Sequence, residues 1–439
     1  MKRKIYQDLL NWKEKGKKPL LVLGARQAGK TYIINEFCKR EFRNYRRINL
    51  LNEPSVVRLY DSNQSSKNKY MQLKMLLGFD PEQEDSILFV DEAQESESFI
   101  VDLKYLNEEV SAAKIIVAGS LLGIKLKQMH KPFPVGKIDL LNLYPMDFEE
   151  YLMAIGREDL IGLIREHYER NEKMPEVIHE MLLDHYRRYL ICGGMPENLQ
   201  NYLDNGQDIT KIDPAILNNI NEAYMNDMNR YVRNFEESIR IRNTYNSLPS
   251  QLINSSHKFQ YAKIEEGARR KQYESVLNWL NTSSLTYITY AVKNPQKPLA
   301  GFIDDFLFKV FMSDVGLLNR LINVQASDIM SDSLMMYKGV ISENYVAQQF
   351  TAGRIPLFYW RNDNIAEIDF LLETAQGVVP VEVKAAENKK AKSLRFYCER
   401  YDPAYAIRIT SRNFGYDETN RIKSVPLYAV FCLSQAITD

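Results

Sequence analysis

The sequence predicts an α/β protein whose N-terminal part is built on a parallel sheet. Three observations support this fold class. A short apolar run, Lys18–Leu23, leads into a glycine-rich loop and then into a segment with helical spacing. A second apolar run, within Ser86–Glu95, ends in two adjacent acidic residues. Further strand-like runs alternate with helical stretches along the chain, which is the pattern of parallel sheets.

The composition limits the possible classes of protein. At 439 residues, the chain is long enough for two or three domains. It carries 57 basic and 57 acidic side chains, so attraction to nucleic acid would have to come from a local patch. No run of about 18 apolar residues occurs, and we expect no membrane-spanning helix. The four cysteines lie far apart without a C-x-x-C pair, which favours free thiols in a reducing cytoplasm over zinc or disulfides.

The segment Gly24–Thr31, GARQAGKT, reads G-x-x-x-x-G-K-T between a predicted strand and a predicted helix. Backbone N–H groups of such a loop, together with the helix N-terminus, form an anion site. Lys30 is expected to reach the β and γ phosphates, and the Thr31 hydroxyl to ligate Mg²⁺. Gly24 and Gly29 permit positive φ angles and a close approach of the backbone. The alternative is a chance match to the motif.

The acidic pair Asp91–Glu92 ends the buried run SILFV. In open parallel sheets, ligands bind at the carboxyl ends of the strands. Asp91 is therefore expected to hold Mg²⁺ through water, and Glu92 to orient or deprotonate the attacking water. The alternative is a strand followed by a solvated acidic turn.

A third apolar run, Lys114–Ser120, predicts a strand that lies between the two motif strands in ATPases of this build. The last residue of this run, Ser120, is the candidate contact to the γ-phosphate or the attacking water, and the alternative is a serine that starts a turn. The strand predicted within Arg46–Leu51 comes between the two motifs in the chain, which is the order of the additional-strand (ASCE) class of P-loop ATPases. Two more strands are predicted within Arg46–Leu51 and Lys137–Met146. The helical spacing of residues 145–205 predicts a helical lid beyond the sheet.

Five phrases along residues 18–200 resemble a set of prokaryotic AAA+-like ATPases related to archaeal-type and signal-transducing (STAND) NTPases. They are GARQAGKT, LFVDEAQE, VAGS, YPMDFEEYL and ICGGMPE. The most specific are Tyr144–Glu150 and Gly193–Glu197. The resemblance implies ATP hydrolysis with ATP and Mg²⁺ bound. Members of that set usually carry Gly-Arg before the last strand, whereas this sequence has Gly136–Lys137. A lysine cannot form the two parallel hydrogen bonds to phosphate that an arginine forms.

The middle segment, residues 206–330, has a pattern of helices followed by a turn, a strand, a loop and a strand, which predicts a winged-helix-like fold. Tyr224–Leu248 reads as one long helix, and Lys271–Val292 as a helix, a turn and a strand. The phrase Phe308–Leu318 resembles the end of the corresponding segment in the same family. A winged helix can bind DNA through its recognition helix. A protein-interaction or spacer role is the alternative.

The last segment, residues 331–439, carries a second set of polar residues. A predicted helix contains Glu343, an alternating strand contains Asp369, and the next strand contains Glu382 and Lys384. Residues two apart in a strand face the same way, so Glu382 and Lys384 share one side. Two carboxylates and a lysine on one face are typical of metal-assisted phosphodiester cleavage, with Glu343 as an additional metal ligand.

This order of helix and strands resembles the PD-(D/E)XK nuclease fold, a restriction-endonuclease-like α/β domain, over residues 335–439. The resemblance implies that Asp369 and Glu382 bind the metal and that Lys384 steadies or deprotonates the nucleophilic water. The alternative is an ion pair between Glu382 and Lys384 in a nuclease-like fold that no longer cuts. Glu367, two residues before Asp369, lies on the same face and adds a further carboxylate.

The sequence thus predicts three parts. These are an AAA+-like ATPase domain with a helical lid (1–205), a helical or winged-helix-like segment (206–330) and a nuclease-like domain (331–439). The predicted function is Mg²⁺-dependent ATP hydrolysis coupled to a nuclease-like domain that acts on DNA in the cytoplasm. The alternative is a regulatory or signalling ATPase whose C-terminal domain only binds nucleic acid or protein. The candidate partners are ATP, DNA and further copies of the chain.

Overall fold

A computed structural model describes residues 1–110, 113–129, 136–230, 232, 234–253, 258–331, 337–362, 365–384 and 392–434. Its contacts divide the chain into two compact units. The first comprises Met1–Tyr144 with Thr282–Ser284, and the second comprises Pro145–Asn281 with Leu285–Asp439. The predicted domain boundaries, after residue 205 and after residue 330, stay predictions. Within the described residues, no helix is long and apolar enough to cross a membrane.

The first unit contains a parallel five-stranded sheet. Its strands are β1 (Leu20–Leu23), β2 (Asn44–Asn49), β3 (Ser86–Asp91), β4 (Lys114–Ala118) and β5 (Asp139–Asn142). They are ordered β2-β3-β4-β1-β5, and every neighbouring pair is parallel. Strand β4 therefore lies between β1 and β3, which confirms the predicted position of the third apolar run. This order brings the carboxyl ends of all five strands to one edge.

Helices cover both faces of this sheet. They are α1 (Ile5–Lys15), α2 (Lys30–Glu41), α3 (Pro54–Asp61), α4 (Ser66–Leu77), α5 (Glu97–Glu109) and α6 (Leu122–Gln128). One apolar core packs β1, β3 and β4 against α3, α4 and α5, and the other packs the same strands against α1 and α2. Every residue of β3 is buried, as expected for a central parallel strand with both faces covered.

The second unit joins a group of helices to a mixed sheet. Its helices are α7 (Phe148–Ala154), α8 (Glu158–Arg170), α9 (Glu176–Cys192), α10 (Pro196–Asp204), α11 (Pro214–Arg230), α12 (Phe235–Ile253), α13 (Arg270–Thr282), α14 (Val315–Leu321), α15 (Ala326–Met330), α16 (Lys338–Ala352) and α17 (Lys392–Tyr401). Its strands are β6 (Thr286–Val292), β7 (Ile303–Met312), β8 (Phe358–Asn362), β9 (Ala366–Thr374), β10 (Gly377–Lys384), β11 (Ala406–Thr410), β12 (Gly415–Asp417) and β13 (Ile422–Pro426).

The eight strands are ordered β12-β13-β11-β10-β9-β8-β6-β7. The hairpin β6–β7 comes from the middle segment, yet β6 pairs in parallel with β8 of the C-terminal segment. The two strands predicted for a winged helix therefore belong to the same sheet as the strands that carry Asp369 and Glu382.

The single helix predicted over Tyr224–Leu248 is wrong. Helix α11 ends at Arg230 and α12 begins at Phe235. The side-chain oxygen of Asn234 accepts a hydrogen bond from the Glu237 N–H at 2.8 Å. A side chain that caps the first turn in this way starts a new helix.

Three sequence phrases that resemble the ATPase family meet around one buried carboxylate. They are Tyr144–Glu150, Gly193–Glu197 and Phe308–Leu318. Asp314, which lies within Phe308–Leu318, accepts hydrogen bonds from the N–H groups of Gly194 at 2.5 Å and Leu317 at 2.9 Å. A Cβ on Gly194 would lie 2.1 Å from the carbonyl oxygen of Met146, so the backbones approach too closely for a larger residue. These phrases therefore have a packing role inside the second unit.

Candidate nucleotide site and C-terminal carboxylate cluster

The phosphate-loop motif lies between the end of β1 and the start of α2. Gly29 is the residue before α2 and has φ 93°, and Gly24 has φ 144°. A Cβ on Gly24 would lie only 2.1 Å from the carbonyl oxygen of Leu143. Both positions therefore favour glycine for their backbone conformation, and Gly24 also lacks space for a side chain. The N-terminus of α2 and the loop N–H groups together form a site suited to phosphate.

The Lys30 side chain is folded over the same loop. Its Nζ donates to the carbonyl oxygens of Gly24 at 2.8 Å and Ala25 at 2.7 Å, and only 7% of the residue is exposed. These carbonyl groups hold the ammonium beside the anion site. Phosphate oxygens, which carry a full negative charge, would be stronger acceptors for the same ammonium.

The two sequence motifs meet at Thr31 and Asp91. The Thr31 hydroxyl donates to Asp91 Oδ2 at 3.0 Å, and the Glu92 N–H donates to Asp91 Oδ1 at 3.1 Å. A hydroxyl and a carboxylate are hard oxygen donors of the kind that Mg²⁺ prefers, with substrate phosphates completing its coordination. The residues present therefore fit the Mg²⁺ site expected here.

An arginine that the sequence analysis did not identify also contacts Asp91. Arg47 Nη2 lies 2.8 Å from Asp91 Oδ2, and its guanidinium lies over the Phe89 ring, 5.8 Å from the centroid. Arg47 is on β2 and pairs in register with Phe89 of β3. Its proximity to Asp91 depends on the order of the strands, which local sequence patterns do not reveal.

Glu92 adopts an unusual backbone conformation at the end of β3. Its φ is 53°, in the left-handed region that few residues other than glycine occupy. Glu92 Oε2 accepts from Gln94 Nε2 at 2.5 Å and from the Ser120 hydroxyl at 3.4 Å. Ser120 is thus near Glu92, while its contact with phosphate or water stays a prediction. Gln94 is buried and was not identified from the sequence.

The polar residues predicted in the C-terminal segment converge on β9 and β10. These strands are antiparallel, with Val381 opposite Phe370. Asp369 Oδ2 accepts from the N–H of Val383 at 2.7 Å, and Lys384 Nζ lies 3.1 Å from Glu382 Oε1. The predicted element order, a helix with Glu343 followed by strands with Asp369 and then Glu382, is observed.

Burial and neighbouring charges shift the pKa values of this group. Burial raises the pKa of Glu382, with the Asp369 carboxylate adding to the shift and Lys384 opposing it. Burial by itself would lower the pKa of Lys384, but the Asp369 and Glu382 carboxylates raise it above its ordinary value. Glu382 Oε2 is buried and has no hydrogen-bond partner among the described residues.

Lys309 of β7 completes the cluster, and the sequence analysis did not identify it. Its Nζ lies 2.6 Å from Glu343 Oε1 and 2.7 Å from Glu367 Oε1. Burial opposes the positive charge, but Glu343, Glu367 and Asp369 together raise the pKa of Lys309 well above its ordinary value. Lys309 is therefore a buried ammonium held by carboxylates.

The described residues do not fit the metal site expected from Glu343, Asp369 and Glu382. Glu343 is already paired with Lys309. In the part of the chain that the structure describes, no three or more His, Cys, Asp or Glu side chains are grouped so that they could hold a metal ion.

Comparison with known families supports the N-terminal assignment. Residues 16–152 match a family model described as an AAA domain. Residues 183–328 and 338–430 match two models described as domains of unknown function, DUF8612 and DUF4143. No curated protein matches the chain. The N-terminal part is therefore a P-loop ATPase domain of the AAA type.

Solved structures show more distant likenesses. The Walker-type ATPase PABY2304 of Pyrococcus abyssi is 17% identical, with 73% of this chain and 95% of that chain covered and a TM-score of 0.44. The ORC2 protein of Aeropyrum pernix, in its ADPNP–ADP complexes, is 13% identical, with 75% and 93% covered and a TM-score of 0.34. A STAND protein with a tetratricopeptide repeat sensor from Pyrococcus horikoshii is 13% identical, with 80% and 48% covered and a TM-score of 0.28.

Proposed function

We propose that this AAA-type P-loop domain hydrolyses ATP with Mg²⁺, at a site formed by the Gly24–Thr31 loop, Asp91 and Glu92. The observation that carries the proposal is the hydrogen bond between the Thr31 hydroxyl and Asp91 Oδ2 at 3.0 Å. It joins the phosphate loop to the acidic end of β3 at the edge of the sheet where ligands bind in open α/β folds.

Each side chain has a distinct role in this proposal. The loop N–H groups and Lys30 bind the phosphates and neutralise their charge. Thr31 and Asp91 would hold Mg²⁺, which supplies positive charge to the phosphate oxygens during transfer. Glu92 orients the attacking water and accepts its proton as the bond between the γ-phosphorus and the leaving oxygen of ADP breaks.

The test compares ATP turnover by the wild type, Lys30→Ala and Lys39→Ala. Lys39 lies on the same helix and is exposed, so it controls for the loss of a lysine from α2. We expect Lys30→Ala to reduce turnover by about 100-fold or more, with the fold intact, and Lys39→Ala to leave it unchanged. Unchanged turnover in Lys30→Ala would contradict the assignment of ATP hydrolysis to this site.

For the C-terminal segment we propose a nuclease-like domain that binds nucleic acid or a protein partner without cleaving it, under the control of ATP. The pairing of Lys309 with Glu343 and Glu367 favours this role, because it uses two carboxylates that a metal would otherwise take. The second candidate is metal-dependent DNA cleavage, favoured by the convergence of Asp369, Glu382 and Lys384 on one face.

One experiment separates these two candidates. The full chain is incubated with plasmid and single-stranded DNA, with Mg²⁺ or Mn²⁺, and with or without ATP, beside the variant Glu382→Ala/Lys384→Ala. The binding role predicts no cleavage under any condition while ATP is still hydrolysed. Cleavage that the double variant loses would establish the second candidate, and its dependence on ATP would show the coupling.

A further inference from the structure

We infer that Lys309 is a built-in counter-cation that occupies the carboxylate cluster of the C-terminal sheet in place of a divalent metal ion. The cluster comprises Glu343, Glu367, Asp369 and Glu382, with Lys384 at its edge. The inference deepens the binding role proposed for this domain. It concerns the second unit alone, so ATP turnover tests the nucleotide site separately.

Three elements that are distant in sequence bring the ammonium into the cluster. Lys309 comes from β7, the edge strand next to β6, whereas Glu343 lies on α16 and Glu367 on β9. The Lys309 side chain lies over the Tyr359 ring of β8, with Nζ 5.2 Å from the centroid. Only 8% of Lys309 is exposed. The lysine therefore spans the distance from the edge strand to the carboxylates beside β9.

The ammonium and a metal ion would compete for the same oxygens. Lys309 Nζ donates a charge-assisted hydrogen bond to Glu343 Oε1 at 2.6 Å and forms an ion pair with Glu367 Oε1 at 2.7 Å. Mg²⁺ requires oxygens at about 2.0–2.1 Å in a near-octahedral arrangement. A second cation close to a desolvated ammonium is also repelled strongly, because little water screens the two charges.

The charges of the cluster show what Lys309 contributes. Glu343, Glu367, Asp369 and Glu382 are four carboxyl groups, and Lys384 Nζ lies 3.1 Å from Glu382 Oε1. Without Lys309, the Glu343–Glu367 side of the cluster would lose the ammonium that neutralises it. Buried carboxylates that lose their partner are strongly destabilising, so that side would need either protons or another cation.

A cavity adjoins this position. It is lined by residues that include Gln251, Phe259, Lys309 and Glu343. In a variant that lacks the Lys309 ammonium, a small divalent cation could enter through this cavity. Replacement of Lys309 by a neutral side chain frees the Glu343 and Glu367 carboxylates, which are then expected to bind one divalent cation with water completing its coordination.

The experiment measures Mn²⁺ binding by electron paramagnetic resonance and the thermal midpoint, in full-length, nucleotide-free protein. Every chain carries Asp91→Asn, so that the nucleotide site does not contribute. The variants are Lys309→Met, Lys309→Arg and Lys423→Met, each beside the parent chain. Lys423 is a half-buried lysine on β13 that donates to the Tyr168 carbonyl at 2.9 Å, and it controls for the loss of a lysine from the same sheet.

We expect Lys309→Met to melt about 5–10 °C lower than the parent, and to gain one bound Mn²⁺ that restores most of this loss. Adding Glu367→Gln to Lys309→Met should remove that Mn²⁺. The parent, Lys309→Arg and Lys423→Met should bind none in this domain. If Lys309→Met does not fold, the parent and Lys309→Arg still test the inference, because Mn²⁺ bound in this domain by either protein would overturn it.

Two further results would overturn the inference. One is binding of Mn²⁺ by the parent chain that Glu343→Gln, Glu367→Gln or Glu382→Gln abolishes, since Lys309 would then not exclude the metal. The other is a folded Lys309→Met that melts like the parent and gains no Mn²⁺, since the ammonium would then not be the counter-cation of the cluster.

Discussion

Arg47 Nη2 lies 2.8 Å from Asp91 Oδ2, the same oxygen that accepts the Thr31 hydroxyl at 3.0 Å. The carboxylate proposed to hold Mg²⁺ through water is therefore also paired with the Arg47 guanidinium. The Arg47 side chain is 36% exposed, so the pair is partly screened by solvent and can separate. Arg47 and Mg²⁺ are expected to compete for Asp91.

Replacement of Arg47 by alanine should therefore make the site easier for Mg²⁺ to occupy. We expect Arg47→Ala to lower the Mg²⁺ concentration that gives half-maximal ATP turnover by about 1.5–5-fold, the range expected for loss of a partly exposed ion pair. A Mg²⁺ titration of turnover at saturating ATP measures this shift. Arg46→Ala is the matched control, because Arg46 is the exposed neighbour on β2. An unchanged or higher Mg²⁺ requirement in Arg47→Ala would contradict the competition.

Gln94 is expected to set the position of Glu92. Its Nε2 donates to Glu92 Oε2 at 2.5 Å, whereas the Ser120 hydroxyl is 3.4 Å from the same oxygen. Gln94→Ala should therefore lower kcat by about 10-fold with little change in KM, because a displaced base loses its alignment with the attacking water. Ser120→Ala should have a smaller effect on kcat. Steady-state kinetics of both variants test which residue has the larger effect on kcat. A larger loss of kcat in Ser120→Ala would show that Ser120, and not Gln94, positions Glu92.

Asp314 is expected to be important for stability rather than for ATP turnover. It is fully buried and accepts from two N–H groups and from Gln348 Nε2 at 3.2 Å. Asp314→Ala leaves these donors without an acceptor, so we expect the free energy of unfolding to fall by about 2–4 kcal/mol. Urea unfolding measures the change, with the exposed Asp305→Ala on β7 as a control. Equal stability of the two variants would show that the Asp314 contacts contribute little.

The proposed nucleotide site could be predicted from the sequence because its candidate residues lie in short consecutive stretches. Gly24, Lys30 and Thr31 fall within eight consecutive residues at the loop and the start of α2, and Asp91 ends β3. Local patterns were therefore enough to place them at the same edge of a parallel sheet. The position of β4 between the two motif strands was also predicted, and the structure confirms it.

The contacts that the sequence did not reveal depend on the order of the strands. Arg47 reaches Asp91 because β2 lies beside β3, and Lys309 reaches Glu367 because β6 and β7 extend the sheet that contains β9. The sequence pattern around Arg47 does not point to Asp91, and the pattern around Lys309 does not point to Glu367. The hairpin was expected to form part of a winged helix, and nothing local to β6 indicates its parallel pairing with β8.

The most direct test of the central claim is phosphate release by the wild type and by Glu92→Gln, with ATP binding measured on the same preparations. Glu92→Gln keeps the size of the side chain but removes the base. The variant should therefore bind ATP like the wild type and release phosphate at least about 100-fold more slowly. Turnover by the wild type should stop when Mg²⁺ is chelated. Phosphate release at the wild-type rate by Glu92→Gln, or turnover that persists without Mg²⁺, would contradict the account of the site.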